Sequence, residues 1–199
     1  MKKLLIGTTN QAKINTYRGL LKEFNFELIT PDKLNIEAPE EIGNSLEEIV
    51  VKKAKYYFEK SGIPSLADDG GFEIDALHGE PGILSHRWLG RDASDQELVS
   101  EVINRMKDVP EGSRQCTFKV AIAVATPFGI MTSHGEVKGV VPFEPATKIV
   151  PGYPYDAVNY LPNYGKFVSE LSDDEQEILN HRKHAVDKIR DIFEELSGA

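Results

Sequence analysis

The chain has 199 residues, 40% of them hydrophobic and 28% charged, with a formal net charge of -9. That composition fits an ordinary globular protein, and the length favours one domain over residues 1–199 with room for two small lobes. The acidic balance argues against a nucleic-acid partner, which calls for a basic face, and no apolar run approaches a membrane span.

Cys116 is the single cysteine, so no disulfide can close within the chain. It reads as a small buried hydrophobe, in keeping with a reducing, cytoplasmic setting. Lys2 and Lys3 precede an apolar run, Leu4-Leu5-Ile6, that is too short for a secretory signal.

In chain order, residues 3–8 read as a short buried strand. A polar turn follows, then a helix over 11–23. Residues 25–30 form a second strand, and the Pro- and Asn-rich stretch 31–44 a loop. Ser45 with Glu48, Ser94 with Glu97, and Ser172 with Glu175 each fit a capping box. They predict helices over 45–60, 94–107 and 172–196, the last broken near Asn180. Residues 72–77 alternate as a half-buried strand. Segments 114–126 and 129–141 predict a long hairpin around Thr126-Pro127-Phe128-Gly129. The order of elements gives an α/β fold with a mixed sheet.

Four constellations could carry chemistry. Thr8-Thr9-Asn10-Gln11-Ala12-Lys13 places a polar turn and a lysine at a helix start, where an anion is favoured. A helix capped by Asn10 with a solvated Lys13 reads the same way. Asp68-Asp69-Gly70-Gly71 puts two carboxylates side by side at a strand end. Neighbours on a strand point to opposite faces, so one would ligate a divalent cation and the other orient it or ligate through water. The alternative is an acidic turn bonded to its own backbone.

Lys53 occupies the gap in an apolar stripe of Leu46, Ile49, Val50 and Tyr57. There it must either snorkel to water or meet an anion. Finally, Gly152-Tyr153-Pro154-Tyr155-Asp156 and His181-Arg182 could stack on a ring and bond its edge, or form an aromatic surface loop.

Taken together, these segments resemble the inosine triphosphate pyrophosphatase family, whose members remove non-standard purine nucleotides such as ITP, dITP and XTP. The matching stretches are TTNQAK near the N-terminus, EEIG at 40–43, LADDGG at 66–71, PGILSHRW at 81–88, YDA at 155–157 and NHR at 180–182. The resemblance implies two α/β lobes around a long twisted mixed sheet, with the active cleft between them, and a homodimer. It implies Mg2+ held by Glu41 and Asp69, with Asp68 as the acidic neighbour. Thr8, Thr9, Asn10, Lys13, Lys53 and Gly70 would lie along the phosphates. Tyr153, Tyr155, Asp156, Gln176, His181 and Arg182 fall at base-recognition positions.

The chain departs from the family pattern at several points. Gly70 follows the acidic pair where Ser or Thr is usual, and Tyr153-Pro154-Tyr155-Asp156-Ala157 replaces a Gly-Phe-Gly-(Tyr/Trp)-Asp-Pro loop. Gln176 stands for a lysine, Ile49 for an asparagine and His86 for an alanine. The implied reaction is attack of water on the α-phosphorus with pyrophosphate leaving. Two alternatives stay open: a pyrophosphatase for another modified nucleotide, and a non-catalytic nucleotide-binding relative. A haloacid-dehalogenase-type phosphomonoesterase lacks its Asp-x-Asp arrangement here.

Overall fold

Apolar residues with a period of two build the centre of the sheet in a computed structural model that describes residues 1–85 and 87–198. His86 lies outside the described residues. The first half of the chain forms β1 (Lys3–Ile6), α1 (Gln11–Leu20), β2 (Glu27–Ile29), α2 (Leu46–Ser61), β3 (Ser65–Ile74), β4 (Pro81–Gly82) and α3 (Asp95–Met106). The second half forms β5 (Gln115–Thr126), β6 (Gly129–Val140), β7 (Tyr160–Leu161), β8 (Lys166–Phe167), α4 (Asp173–Ile178), α5 (His181–Lys188) and α6 (Arg190–Ser197).

The eight strands form one mixed sheet in the order β2-β1-β3-β5-β6-β7-β8, with β4 paired to β3. β1 is parallel to β2 and to β3. The α/β class and the long mixed sheet are those expected from the sequence. Of the expected 72–77 strand, residues 72–74 end a longer one that begins at Ser65, and Asp75–Leu77 instead turn as a 3-10 helix. The expected 172–196 helix breaks near Asn180 and again at Ile189, whose backbone leaves the helical region at φ -122 and ψ 32. Ile189 is buried with Phe193 in the core, and that packing overrides continuous helix.

The chain divides into two compact units: Met1–Asp69 with Val120–Gly135 and Arg182–Ala199, and Gly70–Lys119 with Glu136–His181. In the first unit β5 sorts its side chains by the pleat. Val120, Ile122 and Val124 join Leu4, Ile6, Leu66, Tyr17 and Phe193 in one cluster. Ala121, Ala123 and Ala125 face the other way and pack with Ala67, Val50 and Ala54. Alanines on that face let α2 approach closely. β3 obeys the same alternation, Leu66 joining the first cluster and Ala67 the second. Asp68 and Asp69 come next along the strand.

In the second unit Phe72, Ile74, Leu98, Val102, Tyr155 and Val158 share a core. Arg114 is buried there with its guanidinium on backbone carbonyls, bonding Val141 O at 2.6 Å, Val109 O at 2.9 Å and Pro142 O at 2.8 Å.

Gly7, between β1 and the polar turn, has no room for a side chain. A Cβ there would lie 2.6 Å from the Tyr57 ring and 3.1 Å from Leu66 O. Gly7→Ala is expected to lower stability by about 1–3 kcal/mol, the usual scale of overpacking. Urea denaturation checks this, and an unchanged midpoint would contradict it.

Candidate active site

The first unit gathers its charged residues around Asp68 and Asp69, which lie within β3 and not at a strand end as the sequence suggested, because the strand runs on to Ile74. Asn10 caps α1, its Oδ1 accepting from Ala12 N at 2.9 Å and Lys13 N at 3.2 Å. Thr8 Oγ1 accepts from Asn10 N at 3.1 Å. The turn is thus closed on itself, and what it presents to an anion is chiefly the cation of Lys13. Thr9 is exposed beside it.

Lys13 Nζ lies 3.1 Å from Asp68 Oδ1 and 3.9 Å from Asp69 Oδ1. Arg182, in the first turn of α5, places Nε 2.9 Å from Asp68 Oδ2. Each oxygen of the Asp68 carboxylate thus faces its own cation. The side chain is 1% exposed. Burial alone would push its proton affinity up. Lys13 and Arg182 outweigh burial and hold the carboxyl well below the usual carboxylate range. The Asp68 carboxylate thus anchors two cations.

Asp69 has the opposite balance. Burial raises its proton affinity most. Lys13 and Lys53 oppose that, Glu41 and Asp68 reinforce it, and the net shift is upward. Its side chain keeps 16% exposure, against 1% for Asp68.

Lys53 does not snorkel. It is 6% exposed on the inner face of α2. Its Nζ donates to Glu41 Oε1 at 2.6 Å and to Asp68 O at 3.3 Å. The gap in the apolar stripe is thus filled by a lysine with an anionic partner. That partner is the glutamate that family resemblance assigns to the metal.

Among the described residues, no three His, Cys, Asp or Glu side chains converge as a ready-made metal cage. Glu41 and Asp69 still fit magnesium. They are hard oxygen donors near enough for Glu41 to act on Asp69. Magnesium commonly takes one or two carboxylates and completes its shell with water and phosphate.

The second unit holds the remaining candidates. Gly70 continues β3. His181 stacks on Phe118 with ring centroids 5.8 Å apart and planes at 12°. Phe118 meets Phe72 at 4.9 Å, and Phe72 stacks on Tyr155 at 5.0 Å. Tyr155 was expected at a base. Instead it is 5% exposed, and its Oη donates to Ser85 O at 2.6 Å. An apolar core filled by its ring removes it from the surface. Tyr153, at 38% exposed, is the open ring of that loop. Asp156 lies in the same short 3-10 turn. Gln176 Nε2 turns back onto Leu171 O at 3.2 Å.

Three residues of this polar architecture escaped the sequence analysis: Tyr17, Phe118 and Ser85. Tyr17 had a weak signal, standing one helical turn after Lys13.

A sequence model of the Ham1 family matches residues 4–192. The chain belongs to the Ham1 family. It is 33% identical to a dITP/XTP pyrophosphatase of Yersinia pseudotuberculosis and 32% identical to that of Shigella flexneri, covering 97% of this chain and 98% of each relative. Among solved structures it is similar to a HAM1 protein from Coxiella burnetii, with TM-score 0.87, 27% identity and coverage of 98% and 100%. A nucleoside-triphosphatase, or dITP/XTP pyrophosphatase, from Mycobacterium abscessus aligns with TM-score 0.78, 28% identity and coverage of 94% and 98%.

The two adjacent aspartates should respond oppositely to neutralisation. Asp68→Asn leaves Lys13 and Arg182 facing an amide and should cost about 3–5 kcal/mol. Because its folded-state affinity for protons is depressed, its contribution is full above about pH 4 and fades as pH falls further. Asp69→Asn removes a charge that the unliganded fold disfavours, so its stability should equal or exceed the wild type near neutral pH. Thermal unfolding of both variants checks the pair. Equal losses would contradict the assignment of separate roles.

Proposed function

We propose that this chain hydrolyses non-standard purine nucleoside triphosphates (ITP, dITP and XTP) to the monophosphate and pyrophosphate. The observation that carries the proposal is the arrangement around the acidic pair of β3. Lys13 and Arg182 neutralise the buried Asp68, while the half-buried Asp69 shares its surroundings with Glu41 and Lys53. The relatives' names, dITP/XTP pyrophosphatase, give the substrate class.

Glu41 and Asp69 would hold magnesium, which supplies charge neutralisation along the triphosphate. Lys13 and Lys53 carry Nζ cations to the phosphate oxygens. The Asp69 carboxylate accepts a proton from the attacking water as its oxygen bonds the α-phosphorus. The α–β phosphoanhydride bond breaks, and pyrophosphate leaves with the bonding electrons. Positioning and charge stabilisation supply most of the acceleration.

Tyr153, Asp156, His181 and Arg182 are the residues proposed for the base. A 6-oxo purine presents an acceptor where adenine presents an amino group, and buried polar groups left unpaired penalise the wrong base strongly. The inward turn of Tyr155, the backbone bond of Gln176 and Pro154, which has no N–H, favour a pocket altered from the family pattern. Weakened or redirected base selectivity is the reading those changes support. Family resemblance further supports a homodimer, and the single cysteine a cytoplasmic setting. Among the described residues no helix is long and apolar enough to cross a membrane.

Product analysis with magnesium across ITP, dITP, XTP, dUTP, ATP and GTP tests the proposal. Pyrophosphate and monophosphate should be the products. ITP and XTP should exceed ATP and GTP in kcat/KM by ~10²-fold if base readout is intact, with less separation if it is weakened. Asp69→Asn should lower turnover by at least ~10²-fold. Release of orthophosphate, or no product from any nucleotide, would refute it.

A further inference from the structure

Tyr17 is a buried phenol that the proposed chemistry leaves without a role. It stands four residues after Lys13 on α1 and is 0% exposed. Residues so spaced share a helix face, and that face carries both toward Asp68. The Oη lies within hydrogen-bonding reach of the Asp68 carboxylate and the Arg182 guanidinium, and both charges act on it. Yet it makes no hydrogen bond of good geometry to any partner. A buried hydroxyl held beside a buried ion pair without completing a bond is costly unless another state of the molecule uses it.

The surroundings say which state that is. Asp68 is compensated by Lys13 at 3.1 Å and Arg182 at 2.9 Å. Both cations are also assigned to the nucleotide in the proposed function. When a triphosphate draws on Lys13, or a base on Arg182, their hold on Asp68 weakens. Asp68 cannot turn to water, since its side chain is 1% exposed. A buried carboxylate stripped of its partners is strongly disfavoured. Tyr17 Oη carries a proton beside it and has no competing bond in the resting state.

We infer that Tyr17 is a positioning residue that donates a hydrogen bond to Asp68 when substrate engages Lys13 and Arg182, holding the Asp68 side chain fixed in the nucleotide-bound state. The inference rests on the pyrophosphatase reading for the identity of the ligand. It concerns only how the first unit accommodates that ligand. The phenol need not ionise, and burial, the largest influence on it, holds its proton in place.

The test is Tyr17→Phe, which keeps the ring in the core and removes only the hydroxyl. Three readouts separate the roles. In the absence of nucleotide, Tm should be unchanged or raised, since an unpaired buried hydroxyl is lost. Affinity for a non-hydrolysable α,β-methylene analogue of ITP, titrated by calorimetry, should fall about tenfold, the worth of one hydrogen bond to a charged group. With ITP as substrate, kcat/KM should fall by a similar factor of about ten.

Equal analogue affinity and equal kcat/KM in the two proteins would overturn the inference. A loss of Tm without nucleotide would also overturn it, because the hydroxyl would then serve the resting fold. If the wild type binds the analogue but releases no pyrophosphate from ITP, the pyrophosphatase reading fails. The ratio of analogue affinities still decides the role of Tyr17. A wild type that binds no analogue overturns both.

Discussion

A carboxylate buried within a strand has to be neutralised from within the protein, and in this chain that constraint falls on Asp68. Two helices widely separated in sequence answer it, α1 with Lys13 and α5 with Arg182. Neither cation could stay there without the anion, and the anion could not stay buried without them. The triad ties the start of the chain, its first long strand and its C-terminal helices into one electrostatic unit. Its geometry depends on apolar packing beneath it, where Leu4, Ile6 and Leu66 share a core with Tyr17, Ala185 and Phe193.

The acidic pair of β3 then divides the work. One residue past the buried anchor, Asp69 shares Lys13 with it at 3.9 Å and also feels Glu41 and Lys53. Its charge is incompletely compensated by the protein, and that is the state in which a cation or a proton is welcome. Lys53 makes this arrangement workable. It is buried on α2, paired to Glu41 and bonded to the Asp68 carbonyl. Alanines at 67, 121, 123 and 125 leave the room that lets α2 come close. Small residues on one face of the sheet are therefore as much part of the site as the charges are.

Much of this was legible in the sequence, and the parts that were not share a cause. Capping boxes at Ser94 and Ser172 form in full because each is a local exchange of two bonds. At Ser45 only half forms, since Glu48 bonds Asn44 N at 3.0 Å. The odd place of Lys53 on an apolar stripe revealed a lysine that needs an anion. Periodicity could not say which tyrosine of the 152–157 loop turns inward, because a loop has no period. Nor could it show that Asp68 is claimed by two cations, one of them 114 positions away. The two-residue strands β4, β7 and β8 are too short to carry an alternation. Nothing local marks Arg114, which carbonyls from distant segments hold in the interior. Long-range pairing of polar groups is where local pattern stops being informative.

The central claim is that Asp68 is a permanently charged anchor while its neighbour is not. Carboxyl carbon NMR, following Asp68 and Asp69 in the unliganded protein as pH is lowered from 7, measures this directly. Asp68 should remain ionised well below about pH 4, where an unperturbed aspartate takes its proton, and Asp69 should protonate above it. Asp68 titrating at the ordinary aspartate position, or above Asp69, would contradict the account.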